Sequence, residues 1–185
     1  MSAPAARSTV LTTDADLVRR YRAGDERSAT TLVTRHANAI ARFLAGSGAS
    51  GDEVDDLVQE TFVRAFRALD GWRGEAQFRT WLFSIASNLR RDRYRRAARG
   101  AQLVSLDGVD LEAGEDPATT LDAREAELAL SRGLGTLPRL QREVFLLRAQ
   151  QGLEYSAIAV ALGTTPGAAR VHYHHAVKRL KELVT

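Results

Sequence analysis

The segment Phe78–Arg99 constrains the fold of this chain more than any other segment does. Its first half carries apolar residues at the i, i+3/i+4 and i+7 spacing of a helix that packs on a core. These residues are Phe78, Trp81, Leu82, Ile85 and Leu89. Aromatics are few and long β-branched runs are absent, so the pattern favours helices throughout and predicts an all-α fold.

The second half of this segment is strongly cationic. Six arginines surround the single acid Asp92: Arg90, Arg91, Arg93, Arg95, Arg96 and Arg99. At 100° per residue, the helix side opposite the apolar stripe is predicted to hold Phe83, Ser87, Arg90 and Tyr94. Cations beside aromatic rings are typical of a protein that binds single-stranded nucleic acid. The alternative is a solvated basic helix end, which the helix dipole favours.

Charge is distributed unevenly over the 185 residues. The net charge is +5 for residues 1–100, −6 for residues 101–137 and +4 for residues 138–185. Two basic modules joined by an acidic connector fit a polyanionic partner better than the total of +3 suggests.

Periodicity and turn signals divide the chain into two helical units. Residues 1–12 are predicted to be a disordered tail, and residues 13–99 a four-helix unit. Residues 100–121 are predicted to be a flexible acidic linker, because the periodicity lapses there and Asp, Glu, Gly and Pro accumulate. Residues 122–185 are predicted to form a C-terminal helix-turn-helix unit.

The C-terminal unit shows the spacing of a helix-turn-helix. A short helix is predicted over 155–162, and Gly163 then stands where a left-handed cap residue is needed. Thr165 is the expected N-cap and Pro166 the first residue of the final helix. A plain helical hairpin is the alternative, but the outer side of the final helix is basic.

That outer side is predicted to carry Arg170, Val171, His174, His175 and Lys178. Arg170 is placed for a guanine edge or a phosphate, and Lys178 for backbone phosphate. His172 and His175 are one helical turn apart, but no carboxylate or cysteine nearby completes a zinc site. Neither a metal nor another cofactor is predicted.

The third predicted helix has an acidic polar side made of Asp55, Asp56, Gln59 and Glu60. Paired carboxylates serve acid–base chemistry or bind divalent metals in some proteins, but here no base or Gly-rich phosphate loop accompanies them. A solvated face or a docking face for a protein partner fits better. No catalytic residue and no enzymatic activity are predicted.

The sequence lacks cysteine and lacks a long apolar run, and both features bear on the expected cellular location. The chain has no cysteine, which excludes disulfides and thiolate metal sites. No apolar run approaches 18 residues, so no membrane span is predicted. A cytoplasmic protein is expected.

Three segments together resemble the extracytoplasmic-function (ECF) group of bacterial RNA polymerase sigma factors, in the sigma-70 family. The segments are DDLVQETFVRAF, FRTWLFSIASNLRRDRYRR and LPRLQREVFLLRAQQGLEYSAIAVALGTTPGAARVHYHHAVKRL. Their order and spacing cover nearly all of both units. The resemblance implies a subunit that binds core RNA polymerase and directs promoter recognition, DNA melting and transcription initiation under an envelope or environmental stress.

The resemblance also implies roles for the first unit. The Asp55, Asp56, Gln59 and Glu60 face would dock on the clamp helices of the polymerase β′ subunit, with the β subunit a further contact. A loop from Trp72 through Arg73 to Gln77, with Asn88 and Arg91, would receive a base flipped from the −10 element. The strand would also contact Phe83, Arg90, Arg93, Tyr94, Arg95 and Arg96.

For the second unit the resemblance implies reading of the −35 element as duplex. It adds Thr165, Gly167, Ala168 and His172 to the predicted DNA-facing residues. The linker would thread the polymerase's RNA exit path, and an anti-sigma factor would be a further partner. The turn Pro166-Gly167-Ala168-Ala169 and Val171 depart from the family, which often has threonine, valine and serine there, and this affects sequence preference.

Two other classes of function compete with this hypothesis. A helix-turn-helix regulator would bind duplex DNA without joining polymerase, but it needs neither the acidic third helix nor the aromatic and basic fourth helix. A DNA-processing enzyme would need clustered catalytic groups, which the sequence does not offer.

Overall fold

The structure, a computed structural model, describes residues 12–101 and 121–184, and these residues form helices and turns without strands. In chain order the helices are α1 (Asp14–Arg22), α2 (Glu26–Gly46), α3 (Gly51–Arg67), α4 (Phe78–Ala101), α5 (Leu121–Thr136), α6 (Arg139–Phe145), α7 (Tyr155–Leu162) and α8 (Pro166–Val184). The predicted all-α class with two helical units is confirmed. The predicted tail and most of the predicted linker lie outside the described residues.

Helices α1–α4 form the first unit around an aromatic core. Phe43 of α2 meets Phe83 of α4 edge-on, with the ring centroids 5.3 Å apart. Both rings are fully buried, as are Leu32 and Leu57. Burial of each such side chain is worth about 1.5–3 kcal/mol, so the apolar stripes of the four helices hold the unit together.

Helix α3 begins with a capping box that fixes its direction. The Ser50 backbone N–H donates to Glu53 Oε2 at 3.1 Å, and the Ser50 hydroxyl contacts the same oxygen at 3.2 Å. This reciprocal arrangement satisfies backbone donors that the first helical turn leaves free. It positions the acidic side of α3, which begins only two residues further along the chain.

The second unit is held by α6, α7 and α8. Helix α6 continues into a π-helical turn, Leu146–Gln150. Tyr173 of α8 stacks on Phe145 at 6.0 Å between ring centroids and meets Tyr155 of α7 edge-on at 6.2 Å. These ring contacts tie both helices of the helix-turn-helix to α6, which fixes how α8 is presented to solvent.

The two units pack directly against one another, with α7 lying along α4. Leu146 reaches so close to Gly46 that a Cβ on the glycine would lie 2.7 Å from Leu146 Cδ2. The Ser87 hydroxyl of α4 donates to Glu143 Oε2 of α6 at 3.0 Å. Helix α4 is therefore covered by its own unit and by the second unit.

Helix α1 is attached to α2 through a half-buried carboxylate. Asp14 contacts His36 Nε2 at 2.8 Å and Arg35 Nη1 at 2.5 Å. Burial raises the pKa of Asp14, but the hydrogen bonds from His36 and Arg35 outweigh this, so the pKa lies below its ordinary value. Ionised Asp14 therefore stabilises the fold.

We predict that Asp14→Asn lowers the free energy of unfolding at pH 7 by about 1–2 kcal/mol, since it removes the charge from these two hydrogen bonds. Because the folded-state pKa is depressed, this stabilisation is present above the ordinary aspartate pKa and is lost as pH falls through the lowered value. Urea unfolding at several pH values measures the difference, with Asp70→Asn as a control at a fully exposed carboxylate. If the difference in unfolding free energy between the parent and Asp14→Asn stayed the same below the lowered pKa of Asp14, ionised Asp14 would not be its cause.

Candidate functional site

The predicted strand-binding residues of α4 lie on different sides of the helix. Tyr94 is 63 % exposed, and Arg95 and Arg96 are exposed as well. Arg93 and Arg96 line a cavity of about 480 Å³ shared with α3. Arg90, Arg91, Tyr94 and Arg95 instead line a cavity of about 520 Å³ that faces the second unit.

Two residues predicted for the cationic side of α4 are buried instead. Phe83 is fully buried against Phe43, so its ring is not available to stack on a base, and its assignment to strand binding was wrong. Ser87 is buried beneath Glu143 of the second unit. Helical periodicity predicted both residues on the side of α4 opposite its apolar stripe. That side is also buried, because α2 packs on Phe83 and α6 packs on Ser87.

The loop between α3 and α4 is built on an aromatic cluster. Trp72 is half-buried, meets Phe78 edge-on at 5.8 Å and lies 6.4 Å from the Trp81 ring. Its indole N–H donates to the Ala76 carbonyl at 3.2 Å, which closes the loop on itself. Arg73 and Gln77 are exposed on this loop. The loop therefore presents polar side chains from a rigid aromatic base.

An arginine that sequence reasoning missed braces this loop from α1. The Arg22 guanidinium donates to the Leu69 carbonyl and, at 2.9 Å, to the Trp72 carbonyl. Both carbonyls belong to the turn that follows α3. No sequence signal marked Arg22, because its partners are backbone atoms 47 and 50 residues away along the chain.

The acidic side of α3 is open to solvent. Asp55, Asp56 and Gln59 are exposed, and Glu60 is half-exposed. Arg64 Nε donates to Glu60 Oε1 at 2.7 Å, and this hydrogen bond lowers the pKa of Glu60. The face therefore exposes carboxylates to solvent, and Glu60 is ionised at neutral pH beside Arg64.

The acidic face of α3 borders the arginines of α4. Arg93 Nη1 lies 4.0 Å from Asp56 Oδ2, and both side chains are largely exposed. At this distance and exposure the pair adds little to stability. The predicted polymerase-binding and strand-binding sets thus meet in one mixed-charge groove.

The cavity on the other side of α4 brings cations of both units together. Arg142 of α6 donates to the Ser47 carbonyl at 3.2 Å, and Arg90 of α4 donates to the Gly48 carbonyl at 2.5 Å. Burial and the nearby Arg90 lower the pKa of Arg142. Gly48 has φ of +90°, and a Cβ there would lie 2.9 Å from Arg142. Only glycine suits this position.

The helix-turn-helix turn has the predicted chemistry. Gly163 adopts the left-handed conformation, with φ of 64° and ψ of 43°. The Ala168 backbone N–H donates to the Thr165 hydroxyl at 3.1 Å, which makes Thr165 the N-cap of α8. The predicted turn and its two helices are confirmed.

The outer side of α8 is exposed as the sequence predicts. Its exposed residues are Thr165, Gly167, Arg170, Val171, His174, His175 and Lys178, whereas Ala168 and His172 are half-buried. Arg170 lies over the Tyr155 ring at 5.3 Å, and Arg148 lies over the same ring at 5.0 Å. Sequence reasoning missed Tyr155, whose ring orients Arg170 through a cation–π contact.

Some classes of site find no support in the described residues. In the parts of the chain that the structure covers, no three histidine or acidic side chains lie close enough to share a metal ion. None of the helices described is long and apolar enough to cross a membrane.

Comparison with known proteins assigns both units. The sigma-70 region 2 model matches residues 32–100, and the sigma-70 region 4 model matches residues 127–180. The ECF RNA polymerase sigma-E factor of Salmonella typhimurium is 32 % identical over 167 residues, which cover 85 % of this chain and 87 % of that relative.

Two solved structures share the architecture. CnrH, in complex with the cytosolic domain of CnrY, is 32 % identical with a TM-score of 0.70 and matches over 92 % of this chain and 96 % of its own. The sigma factor RpoE of Bartonella quintana, in complex with the anti-sigma factor NepR, has a TM-score of 0.75 over 84 % of this chain and 95 % of its own. At 23 % identity it supports the fold alone. By its sequence relatives and by the match of both regions, this chain belongs to the ECF sigma factors, which act in transcription initiation and are not enzymes.

Proposed function

We propose that this sigma factor binds core RNA polymerase and promoter DNA through three surfaces, of which the first two adjoin. The observation that carries the proposal is the exposed acidic side of α3 beside the arginine-rich end of α4, in one rigid unit. A regulator that only binds duplex DNA has no use for this pair of surfaces. We assign residues 13–99 to docking and the −10 element, and 122–185 to the −35 element.

Docking on polymerase falls to the α3 face of Asp55, Asp56, Gln59 and Glu60. The face exposes carboxylates, so it complements a cationic protein surface, which we propose to be the clamp helices of the β′ subunit. The β subunit is the expected neighbour of the second unit. Because polymerase acts in the cytoplasm, we expect the chain to act there too.

We assign binding of the −10 strand to the loop between α3 and α4 and to the arginines of α4. Arg73 and Gln77 are exposed on the loop built on Trp72, and Asn88 is exposed further along α4. Hydrogen bonds from these side chains to an unstacked base would offset the few kcal/mol that flipping costs. Arg91, which donates to Asn88 Oδ1 at 2.7 Å, orients that amide. We assign the contacts with backbone phosphates to Arg90, Arg93, Arg95 and Arg96. The exposed ring of Tyr94, in place of the buried Phe83, is suited to stack on a base.

Duplex reading falls to the outer side of α8. Arg170 is exposed and oriented by Tyr155, a geometry suited to a bidentate contact with guanine. Lys178 lies two helical turns further along and is suited to phosphate.

An anti-sigma protein is a further proposed partner. CnrH and the Bartonella RpoE were each solved in complex with another protein, and NepR is named as an anti-sigma factor. We propose that a partner of this class binds the present chain, and the stress signal that it would relay stays a prediction.

We predict that Asp56→Lys combined with Glu60→Lys weakens core polymerase binding by about tenfold or more, since two attractive contacts become repulsive. Fluorescence anisotropy with labelled chain measures the affinity, and circular dichroism confirms the fold. Asp52→Lys, an equal charge change per site in the first turn of the same helix, is the control. Equal losses in variant and control would remove the docking assignment.

We predict that Arg170→Ala weakens binding to a −35 duplex by about 1–3 kcal/mol, because it removes a bidentate base contact. Arg179→Ala, at another exposed arginine of α8, is the control. Any loss of affinity that it causes should be the same for duplexes of every sequence. Run-off transcription on several candidate promoters, with core enzyme alone as baseline, gives the functional readout. A loss for Arg170→Ala that is the same on unrelated duplexes would make it a phosphate contact.

We predict that Arg22→Lys weakens capture of the −10 strand by about 1 kcal/mol, because Nη2 donates to both loop carbonyls and the lysine ammonium, one bond closer to the backbone, does not reach its position. Affinities for core polymerase and for −35 duplex should not change, which separates loop positioning from general destabilisation. Arg20→Lys, on the same helix, is the matched control. If all three affinities fall together, Arg22 has only a structural role.

A further inference from the structure

We propose that the cavity between α4 and α6 is a binding site for a small polyphosphate anion, either an inorganic one or the phosphate chain of a nucleotide. The cavity has a volume of about 520 Å³, which is within the range of sites for small ligands. Five of the residues that line it are arginines: Arg90, Arg91, Arg95, Arg139 and Arg142. The proposal goes beyond the proposed function, because it concerns a small ligand and neither polymerase nor promoter DNA.

The arginines of the cavity come from two helices that are distant in the chain. Three of them lie on α4, and Arg139 and Arg142 lie on α6. No surface assigned under the proposed function includes these two arginines of α6. The fork of a guanidinium group matches two oxygens of a phosphate, so several arginines around one cavity are suited to a ligand with several phosphate groups.

The cavity has more cations than carboxylates to balance them. Its carboxylate is Glu143, which is 1 % exposed and accepts from Arg139 Nη1 with both oxygens, at 2.9 and 2.8 Å. The other four arginines of the cavity make no ion pair with any residue that the structure describes. Their positive charge is therefore not compensated by the described part of the chain.

Neutral oxygens are the acceptors for three of these guanidinium groups. Arg90 donates to a backbone carbonyl of the turn after α2, and Arg91 Nη2 donates to Asn88 Oδ1 at 2.7 Å. Arg142 donates to backbone carbonyls on either side of the cavity. These hydrogen bonds orient the guanidinium groups but remove none of their charge. The cluster is therefore held in place before any ligand binds, which reduces the entropy that binding costs.

The same three arginines show two unfavourable features that an anion would relieve. Their Nε atoms are buried and have no hydrogen-bond partner among the described residues. Burial, and then the nearby charge of Arg90, lower the pKa of Arg142. An anion in the cavity would offset both the lost hydration and the repulsion between the two cations.

An aromatic ring at the cavity is suited to a nucleotide. Tyr94 lines the cavity and is 63 % exposed. Bases stack on exposed aromatic rings, whereas an inorganic polyphosphate has no group that would do so. The contribution of Tyr94 to affinity therefore distinguishes the two sources of the phosphate chain.

The cavity shares residues with the proposed strand-binding set. These are Arg90, Arg91, Tyr94 and Arg95. Residues of α6 bound the cavity on its other side, and its volume suits a compact ligand better than a strand of several nucleotides. A bound polyphosphate and the −10 strand would therefore compete for these side chains.

The test is calorimetric titration of the full chain with sodium tripolyphosphate, at low ionic strength and without polymerase or DNA. Arg95→Gln and Arg142→Gln each remove one cation from the cavity. The Arg95 side chain is exposed and has no recorded hydrogen bond in the described part of the chain, so this variant should keep the fold. Arg96→Gln is the matched control, because this adjacent exposed arginine lines the cavity toward α3 instead.

We expect the parent chain to bind a single tripolyphosphate ion with a saturable isotherm. Arg95→Gln and Arg142→Gln should each weaken binding by about tenfold, since each removes a charge-assisted contact with phosphate. Arg96→Gln should stay within about twofold of the parent.

A second titration, with ATP, identifies the source of the phosphate chain. ATP that binds more tightly than tripolyphosphate, with the gain lost in Tyr94→Leu, would support a nucleotide as the ligand. Equal affinities for the two would support an inorganic polyphosphate.

Three results would overturn the proposal. One is a parent chain that shows no saturable binding of tripolyphosphate or ATP. Another is an equal loss in Arg95→Gln and Arg96→Gln, which would mean a general attraction to the basic end of α4. The third is a polyglutamate peptide that binds as tightly as tripolyphosphate with the same loss in Arg95→Gln, which would indicate an acidic protein segment instead. The strand-binding assignment is measured with DNA, so its failure is separate from each of these results.

Discussion

Helix α4 is the element on which the rest of the structure depends, because its first half is buried from several directions at once. Phe83 packs on α2, Leu82 and Leu89 are buried in the first unit, and Ser87 is buried under α6. A helix held on so many sides cannot rotate or shift without opening the core. Its arginine-rich second half therefore extends from a rigid base, and the positions of its cations follow from the packing of the apolar half.

The arginines of α4 have different neighbours on the two sides of the helix. Toward α3, Arg93 and Arg96 border an acidic face, and toward the second unit, Arg90 and Arg142 converge on two carbonyls. In the first arrangement, the proposed docking surface and the proposed strand-binding surface adjoin within one small unit. The second puts two guanidinium groups on adjacent backbone carbonyls at the contact between the units.

The fold gives each proposed binding surface its own support. The loop after α3 is closed by the Trp72 indole and braced by Arg22, and α8 is held by stacked rings of α6 and α7. Arg170 lies over Tyr155, an arrangement that would reduce the conformational entropy lost in the proposed contact with DNA. Each support is therefore local to the surface that it holds.

The sequence by itself determined the elements, since local chemistry decides where a helix begins, which side is apolar and where it ends. The short helix over 155–162, Gly163 as left-handed cap and Thr165 as N-cap follow from side-chain types alone, as does the acidic side of α3. Tertiary structure decided which sides of α4 remain accessible, because burial depends on helices distant in the chain: it buried Phe83 and Ser87. It also gave Arg22 its role, because that role depends on backbone carbonyls that only the folded chain brings within reach.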